Sequence, residues 1–231
     1  MRRILLIGLV FVGLTRTLEA QIAFDAATYG GEVTATSQTT SHTVGSSGVG
    51  RCMIVIALGD ATSDLLTTAT YNGVSMTLID EQNANPGAVY WQHIWALANP
   101  STGANNVVVN ASSSSHIETI VGSWTGVAAA GCPQVSSEGT GSGDPYVASV
   151  TTVTAANWTV EGINASVGLV ASTNFTSRAA NPSATYFLAD SNAAVAIGSN
   201  SMSVTGAGGT KQHLIMALAP LTGRCCLLGV P

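Results

Sequence analysis

His116 and Glu118 stand one residue apart in Ser115-His116-Ile117-Glu118-Thr119. On an extended strand alternate side chains leave the same face, so this imidazole and this carboxylate are neighbours. A His–Glu pair can pass a proton to or from a substrate, and paired acid–base groups flanking one glycosidic bond are the chemistry of glycan cleavage. The plainer expectation is a solvated strand entrance that follows the serines at 112–115. A second candidate lies in Gly59-Asp60-Ala61-Thr62-Ser63-Asp64. Asp60 and Asp64 could hold Ca2+ together with backbone carbonyls, since hard cations take oxygen ligands. Asp is equally favoured in such a loop by turn geometry alone, and Asp144 before Pro145 reads as a turn residue of that kind. The third candidate is Tyr90-Trp91-Gln92-His93-Ile94-Trp95, where Trp91, His93 and Trp95 share one strand face. Strand aromatics usually pack, so that face is expected to belong to the sandwich interior. The binding alternative puts Trp91 and His93 at a rim, with Tyr146 and Trp158 as further surfaces on which a sugar ring could stack.

Several chemistries are missing. Gly45-Ser46-Ser47-Gly48-Val49-Gly50 is the nearest approach to a nucleophile elbow, and Val49 stands where its second glycine belongs. There is no His-Glu-x-x-His, no phosphate loop and no dinucleotide fingerprint. The four cysteines, Cys52, Cys132, Cys225 and Cys226, contain no Cys-x-x-Cys pair and allow three disulfide connectivities. Cys52 with Cys132 is a plausible pair because both flank strand-like segments.

Met1 to Ala20 have the three parts of a secretory signal: a basic start, the apolar run Ile4–Leu14, and a polar stretch ending in Ala20. That run is too short for a membrane helix, which takes about 20 residues. Without Arg2, Arg3, Arg16 and Glu19, four basic and eleven acidic side chains remain. So few dispersed cations cannot follow a phosphate backbone or hold an anionic membrane, so neither nucleic acid nor membrane is an expected partner. Charged residues make up 8% of the chain, against roughly 25% in ordinary domains. Ser, Thr, Asn and Gly supply the polar surface instead. A neutral skin of this kind suits contact with neutral polymers or self-association in an extracellular setting.

The elements that must carry these residues are strands. Short apolar or alternating runs recur from residue 22 to 219, broken by clusters such as Asn99-Pro100-Ser101-Thr102-Gly103 and Gly139-Thr140-Gly141-Ser142-Gly143. Among them, 22–28 and 31–44 read as separate strands, as do 105–112 and 116–125. Asn72-Gly73 predicts a two-residue hairpin pairing Tyr71 with Val74, Ala69 with Met76 and Thr67 with Leu78. Cys52–Leu58 is apolar on both faces and reads as a central strand. His213–Pro220 has the same character and is expected to pair back into the same sheet.

Three segments, Tyr71-Asn72-Gly73-Val74, Ile94-Trp95-Ala96-Leu97-Ala98-Asn99-Pro100-Ser101-Thr102-Gly103 running into Val107-Val108-Val109, and Ser123-Trp124-Thr125-Gly126-Val127, resemble a loosely defined jelly-roll β-sandwich module of secreted bacterial and phage surface proteins. The resemblance implies extracellular presentation or binding and supplies no catalytic residue. The expectation is therefore an all-β antiparallel sandwich of jelly-roll type. It comprises a signal peptide at 1–20, one domain at 21–220 and a C-terminal tail at 221–231. Its expected role is non-catalytic binding or adhesion to a neutral glycan, without a cofactor unless Asp60 and Asp64 take Ca2+. The alternatives are a structural subunit of an extracellular layer, filament or virion, and a glycan-cleaving enzyme using His116 and Glu118.

Overall fold

The computed structural model describes residues 18–19, 21–60, 63–83, 90–171, 174–206 and 209–223. The first part of the chain forms β1 (Leu18–Glu19), β2 (Ala23–Val44), β3 (Cys52–Asp60), β4 (Leu66–Tyr71), β5 (Val74–Ser75), β6 (Thr77–Asn83), β7 (Tyr90–Ala98) and β8 (Gly103–Thr125). A single 3-10 turn, Ala129–Gly131, then leads to the rest. These strands are β9 (Val135–Gly141), β10 (Tyr146–Thr152), β11 (Trp158–Ala165), β12 (Val170–Ala171), β13 (Thr176–Ala180), β14 (Tyr186–Asp190), β15 (Gly198–Thr205), β16 (Lys211–Leu218) and β17 (Thr222–Gly223). All the pairings are antiparallel. Among the described residues no helix is long and apolar enough to cross a membrane. The expected signal peptide falls outside the described residues except for Leu18–Glu19, which pairs with Thr222–Gly223. Cys225 and Cys226 also fall outside them.

The protein is an all-β sandwich. Strands β2 to β8 form one seven-stranded sheet, β13-β14-β11-β16-β9 a second, and β10-β15-β12 a third. Three apolar cores hold these layers, two between sheets and one inside the first sheet. The central one joins Ile54, Ile56, Ile120 and Trp124 of the first sheet to Val160, Leu188, Leu214 and Met216 of the second. The outer core of the second sheet carries Ile163, Phe187 and Ile215 against Val150, Met202 and Val204 of the third. The remaining core lies inside the first sheet, which curls until Val107, Val109, Ala69 and Tyr71 cover Val55, Trp95, Ile117 and Val121. Each such apolar side chain taken fully out of water contributes about 1.5–3 kcal/mol.

Two long strands produce the curl. The expected pairs 22–28 with 31–44 and 105–112 with 116–125 are continuous as β2 and β8, which pair with each other over nearly their whole lengths. The gaps between those runs, at 29–30 and 113–115, are instead where the ladder shifts register and bends. The half of β8 near Val121 pairs with β3, and the half near Val108 pairs with β4. One strand thus crosses from the central layer to the outer one.

The strand β3 is central as expected, held between β7 and β8, with both faces buried from Cys52 to Gly59. The Asn72-Gly73 turn also forms as expected, with both residues at positive φ and Tyr71 paired with Val74. The hairpin is shorter than its pattern suggests. After Met76, whose N–H reaches Ala69 O, the chain leaves β4, and Thr77 pairs with Ala96 of β7. Leu78 is therefore 43% exposed rather than packed opposite Thr67. The run His213–Leu218 does not return to the sheet of β3; it lies between β11 and β9 in the second sheet. Two runs of like composition are separated because each is covered on both faces, and two such strands can build two layers as well as one.

Cys52 and Cys132 form a disulfide with a Cα–Cα distance of 5.5 Å across 80 positions of sequence. It joins the start of β3 to the segment connecting the first sheet to the second. A second bracket lies nearby. Trp124 Nε1 donates to the buried Asp190 Oδ2 at 2.9 Å, and Arg178 donates twice to the same carboxylate at 2.8 Å each. Arg178 also lies over the Phe24 ring, 4.2 Å from its centroid. Closing a loop of this length by a covalent bond removes unfolded-state entropy worth about 4 kcal/mol. Cys52→Ala combined with Cys132→Ala should therefore lower the unfolding free energy by about that amount in urea denaturation. Equal midpoints for the variant and the parent would contradict this.

Candidate functional site

The central core opens to solvent at one end, and the polar side chains of the first sheet collect there. Tyr29, Glu32, His116 and Glu118 project on one side of the β2–β8 ladder because of the Gly30-Gly31 bulge. Tyr29 pairs with Ile120 and Glu32 pairs with Glu118, so two glycines oppose one residue, Thr119. Without that extra residue, Tyr29 and Glu32 would face opposite sides. Gly31 supplies the left-handed backbone the bulge requires, with φ of 76°. At Gly30 an added Cβ would collide with Thr40 Oγ1 and Thr119 Oγ1. The buried Gln38 fixes the bulge by donating Nε2 to Gly31 O at 2.6 Å and to Gly30 O at 3.2 Å.

Glu32 and Glu118 are thus direct cross-strand partners, an arrangement that like charges disfavour. Each carboxylate has a compensating neighbour. Tyr29 Oη donates to Glu118 Oε1 at 2.7 Å, and His116 Nε2 meets Glu32 Oε2 at 3.1 Å. Glu118 is buried, whereas the Glu32 side chain is 67% exposed. Burial first, and then the hydrogen bond to Glu118, push the Tyr29 hydroxyl well above the usual phenol range. Tyr186, fully buried beside them, has its hydroxyl raised by burial and then by Glu118. Glu32, His116 and Glu118 line a cleft with a volume of about 280 Å3. The second sheet closes its far side with Asn164, Asn181, Ser183 and Thr185, and Tyr90 stands at its edge, 36% exposed. Among the described residues no lysine or arginine lines it.

A second polar cluster lies on the inner face of the curled sheet. His93 Nε2 donates to Asp64 Oδ1 at 2.9 Å, and Glu81, the cross-strand partner of His93, completes a group whose ligand atoms lie within 4.8 Å of one another. The His93 ring lies 5.0 Å from that of Trp95 and is 2% exposed. Burial lowers its pKa below the usual imidazole value, against the opposing pull of Asp64 and Glu81. Within the same curl, His42 bonds to Thr28 Oγ1 at 2.9 Å and to Ser123 Oγ at 3.1 Å, and Ser123 Oγ donates to Asp25 at 2.8 Å. Ser, His and Asp meet here, but the carboxylate holds the serine and not the imidazole, and His42 and Ser123 are buried. That arrangement orders a polar interior and cannot generate a nucleophile. Between the second and third sheets, Glu161 bonds to His213, both fully buried, with Tyr146 edge-on to the His213 ring at 4.6 Å.

The residues expected to bind a ligand do not share a concavity. Trp158 is in the central core at 5% exposure and offers no face to a sugar. Tyr146 packs on His213 at the outer core. Trp91 is half-buried, and His93 is turned inward against Trp95. The face carrying Trp95 lines the interior of the curl and not the space between sheets. Of the two proposed Ca2+ ligands, Asp64 is drawn to His93, and the side chain of Asp60 lies outside the described residues. Expected as alternatives, His116 and Glu118 do line one cleft. Glu32, Tyr29, Tyr90 and Glu81 were not anticipated. The adjacent glycines at 30–31 were the available signal for Glu32, because a glycine pair inside a Thr-rich strand marks a bulge.

Comparison of the chain with protein-family models, curated proteins and solved structures finds no match.

The buried imidazole of His42 gives a pH test. Burial lowers its pKa from 6.5 to about 4, although Asp25 pulls the other way. The unfolded chain takes up this proton below pH 6.5, while the folded protein refuses it until about pH 4. Stability is therefore complete above pH 6.5 and declines as pH falls toward 4, by roughly 1–3 kcal/mol from this group. Urea denaturation across that window should show a shallower decline in His42→Gln than in the parent. Identical slopes would refute the assignment.

Proposed function

We propose that this is a secreted β-sandwich protein that binds a neutral glycan in the cleft at the open end of its central core. The observation that carries this reading is the cleft's lining. Glu32, Glu118 and His116 face Asn164, Asn181, Ser183 and Thr185 across it, with Tyr90 at the edge and no described cation. Carboxylates, amides and hydroxyls together accept and donate to sugar hydroxyls, and an exposed tyrosine offers a sugar ring an apolar face. A volume of about 280 Å3 lies near the lower end of ligand pockets, which run from about 300 Å3 upward, and accommodates a small part of a glycan chain. The disulfide is compatible with the extracellular setting that the N-terminal signal pattern implies. The cleft replaces the tryptophan platform as the place of contact, while the expected class of ligand is retained.

One specific observation favours a second reading, glycan cleavage. Glu32 and Glu118 oppose each other across the ladder in unlike surroundings, one exposed beside His116 and one buried beside Tyr29. Two carboxyl groups with separate environments are what acid–base cleavage of a glycosidic bond requires.

A glycan array followed by calorimetry separates these possibilities. Glu118→Gln should weaken glycan binding about 10- to 100-fold, the worth of a hydrogen bond to a charged group. Tyr90→Ala, at an exposed edge, should weaken it about tenfold with the fold intact. Unchanged affinity in both variants would sink the cleft as the site. Release of reducing ends by the parent, abolished in Glu118→Gln, would establish the second reading. A folded parent that binds no glycan but assembles with rising concentration would leave the structural-subunit role.

A further inference from the structure

At one point of the curled sheet, the loop ending in Asp64 meets β6 and β7. We propose that Asp64, Glu81 and His93 form a binding site for a divalent transition-metal ion, with Zn2+ the best fit. Their ligand atoms all lie within 4.8 Å of one another. Zinc takes carboxylate oxygen and imidazole nitrogen at about 2.0–2.2 Å, so the three donors need only a modest contraction to share an ion.

Two of the three ligands are already set. His93 sits in the middle of β7 at 2% exposure, its ring held against Trp95. Asp64 Oδ1 receives both His93 Nε2 at 2.9 Å and the Leu66 N–H at 3.1 Å. Glu81 is exposed and free to swing the remaining distance. A fixed pair with one adjustable ligand gives an ion an entry path from solvent.

The hydrogen bond to Asp64 fixes which nitrogen of His93 faces the ion. Here Nε2 faces the carboxylates, and Nδ1 is buried with no partner among the described residues. An ion that takes the Nε2 lone pair moves the ring proton to Nδ1, and that shift breaks no existing bond at Nδ1. The charge around the cluster is also one-sided. Of the described arginines, Arg51 is spent on the carbonyls of residues 45, 46, 47 and 48, and Arg178 on Asp190 and Asn192. Each is engaged elsewhere, so among the described residues two carboxylates converge without a guanidinium to balance them.

The ligand set selects the class of ion. Ca2+ takes six to eight oxygen ligands, whereas an imidazole with two carboxylates suits Zn2+ and its neighbours. Three protein ligands leave at least one position for water. The Ca2+ pair expected from Asp60 and Asp64 thus gives way to a different set that shares only Asp64.

The test is calorimetric titration of the untagged, chelator-treated protein with Zn2+, followed by Co2+ to read the ligand field. The expected result is one saturable equivalent per chain and a Co2+ visible spectrum of low coordination number. Glu81→Gln, which alters an exposed side chain and leaves the fold intact, should weaken Zn2+ binding at least tenfold, as should Asp64→Asn. Ca2+ at the same concentration should not displace Zn2+. The proposal is overturned if Zn2+ uptake does not saturate, if both variants bind as the parent does, or if Ca2+ binds more tightly than Zn2+. None of these outcomes depends on glycan binding.

Discussion

The ladder between β2 and β8 is the constraint on which the other features rest. A strand of 23 residues must satisfy its backbone partners along its whole length, yet its two halves lie in different layers. It meets that demand by bending where the register with β2 shifts, and β2 follows it. The bend encloses the core behind Trp95 and places the other half of β8 against the second sheet. The same ladder carries the Gly30-Gly31 bulge, so the fold's largest deformation and the composition of the cleft share one origin. A one-residue slip would turn Glu32 away from the cleft and Tyr29 away from Glu118 together.

A chain with so few charges spends several of them on architecture. Arg51 ties together the carbonyls of residues 45, 46, 47 and 48, and Arg178 neutralises the buried Asp190 while covering Phe24. Asp25 receives the Gly45 N–H and Ser123, Asp144 receives the Gly206 N–H, and Glu161 holds His213. Each acts inside the protein. Glu32 with Glu118 at the cleft, and Asp64 with Glu81 in the curl, are instead carboxylates that converge on each other. Convergent carboxylates cost stability through repulsion, and a ligand or an ion that bridges them recovers that cost. The two places thus differ in kind from the rest of the polar interior.

Much of the architecture was legible in the residues. Alternation and turn clusters gave strands without helices, Asn72-Gly73 gave its hairpin register, and Cys52–Leu58 gave a strand buried on both faces. Cys52 with Cys132 was one plausible pairing among three, and it is the one that forms. The site was less legible. His116 and Glu118 were visible as a pair because their spacing matches a strand's period of two. Glu32 was not, because its nearness to Glu118 arises from pairing across 86 positions of chain and a bulge, neither of which shows as a local period. The aromatic stretch was expected to pack, and Trp95 and His93 do, but inside the curl and not between the sheets. A stretch with Trp91 and Trp95 looks alike whether its face meets solvent or a sheet that curls over it.

By itself the sequence determined what depends on neighbours along the chain: strand character, turn positions, a neutral polar surface and the scarcity of cations. These follow from backbone sterics, side-chain period and composition. Tertiary structure alone decided which strands lie beside which, and so which side chains meet. It placed His213 in a different sheet from His93, joined Asp64 to His93, and set Glu32 opposite Glu118. Those outcomes depend on how long strands bend to bury both of their faces, a competition settled by the packing of the whole molecule and by no short segment within it.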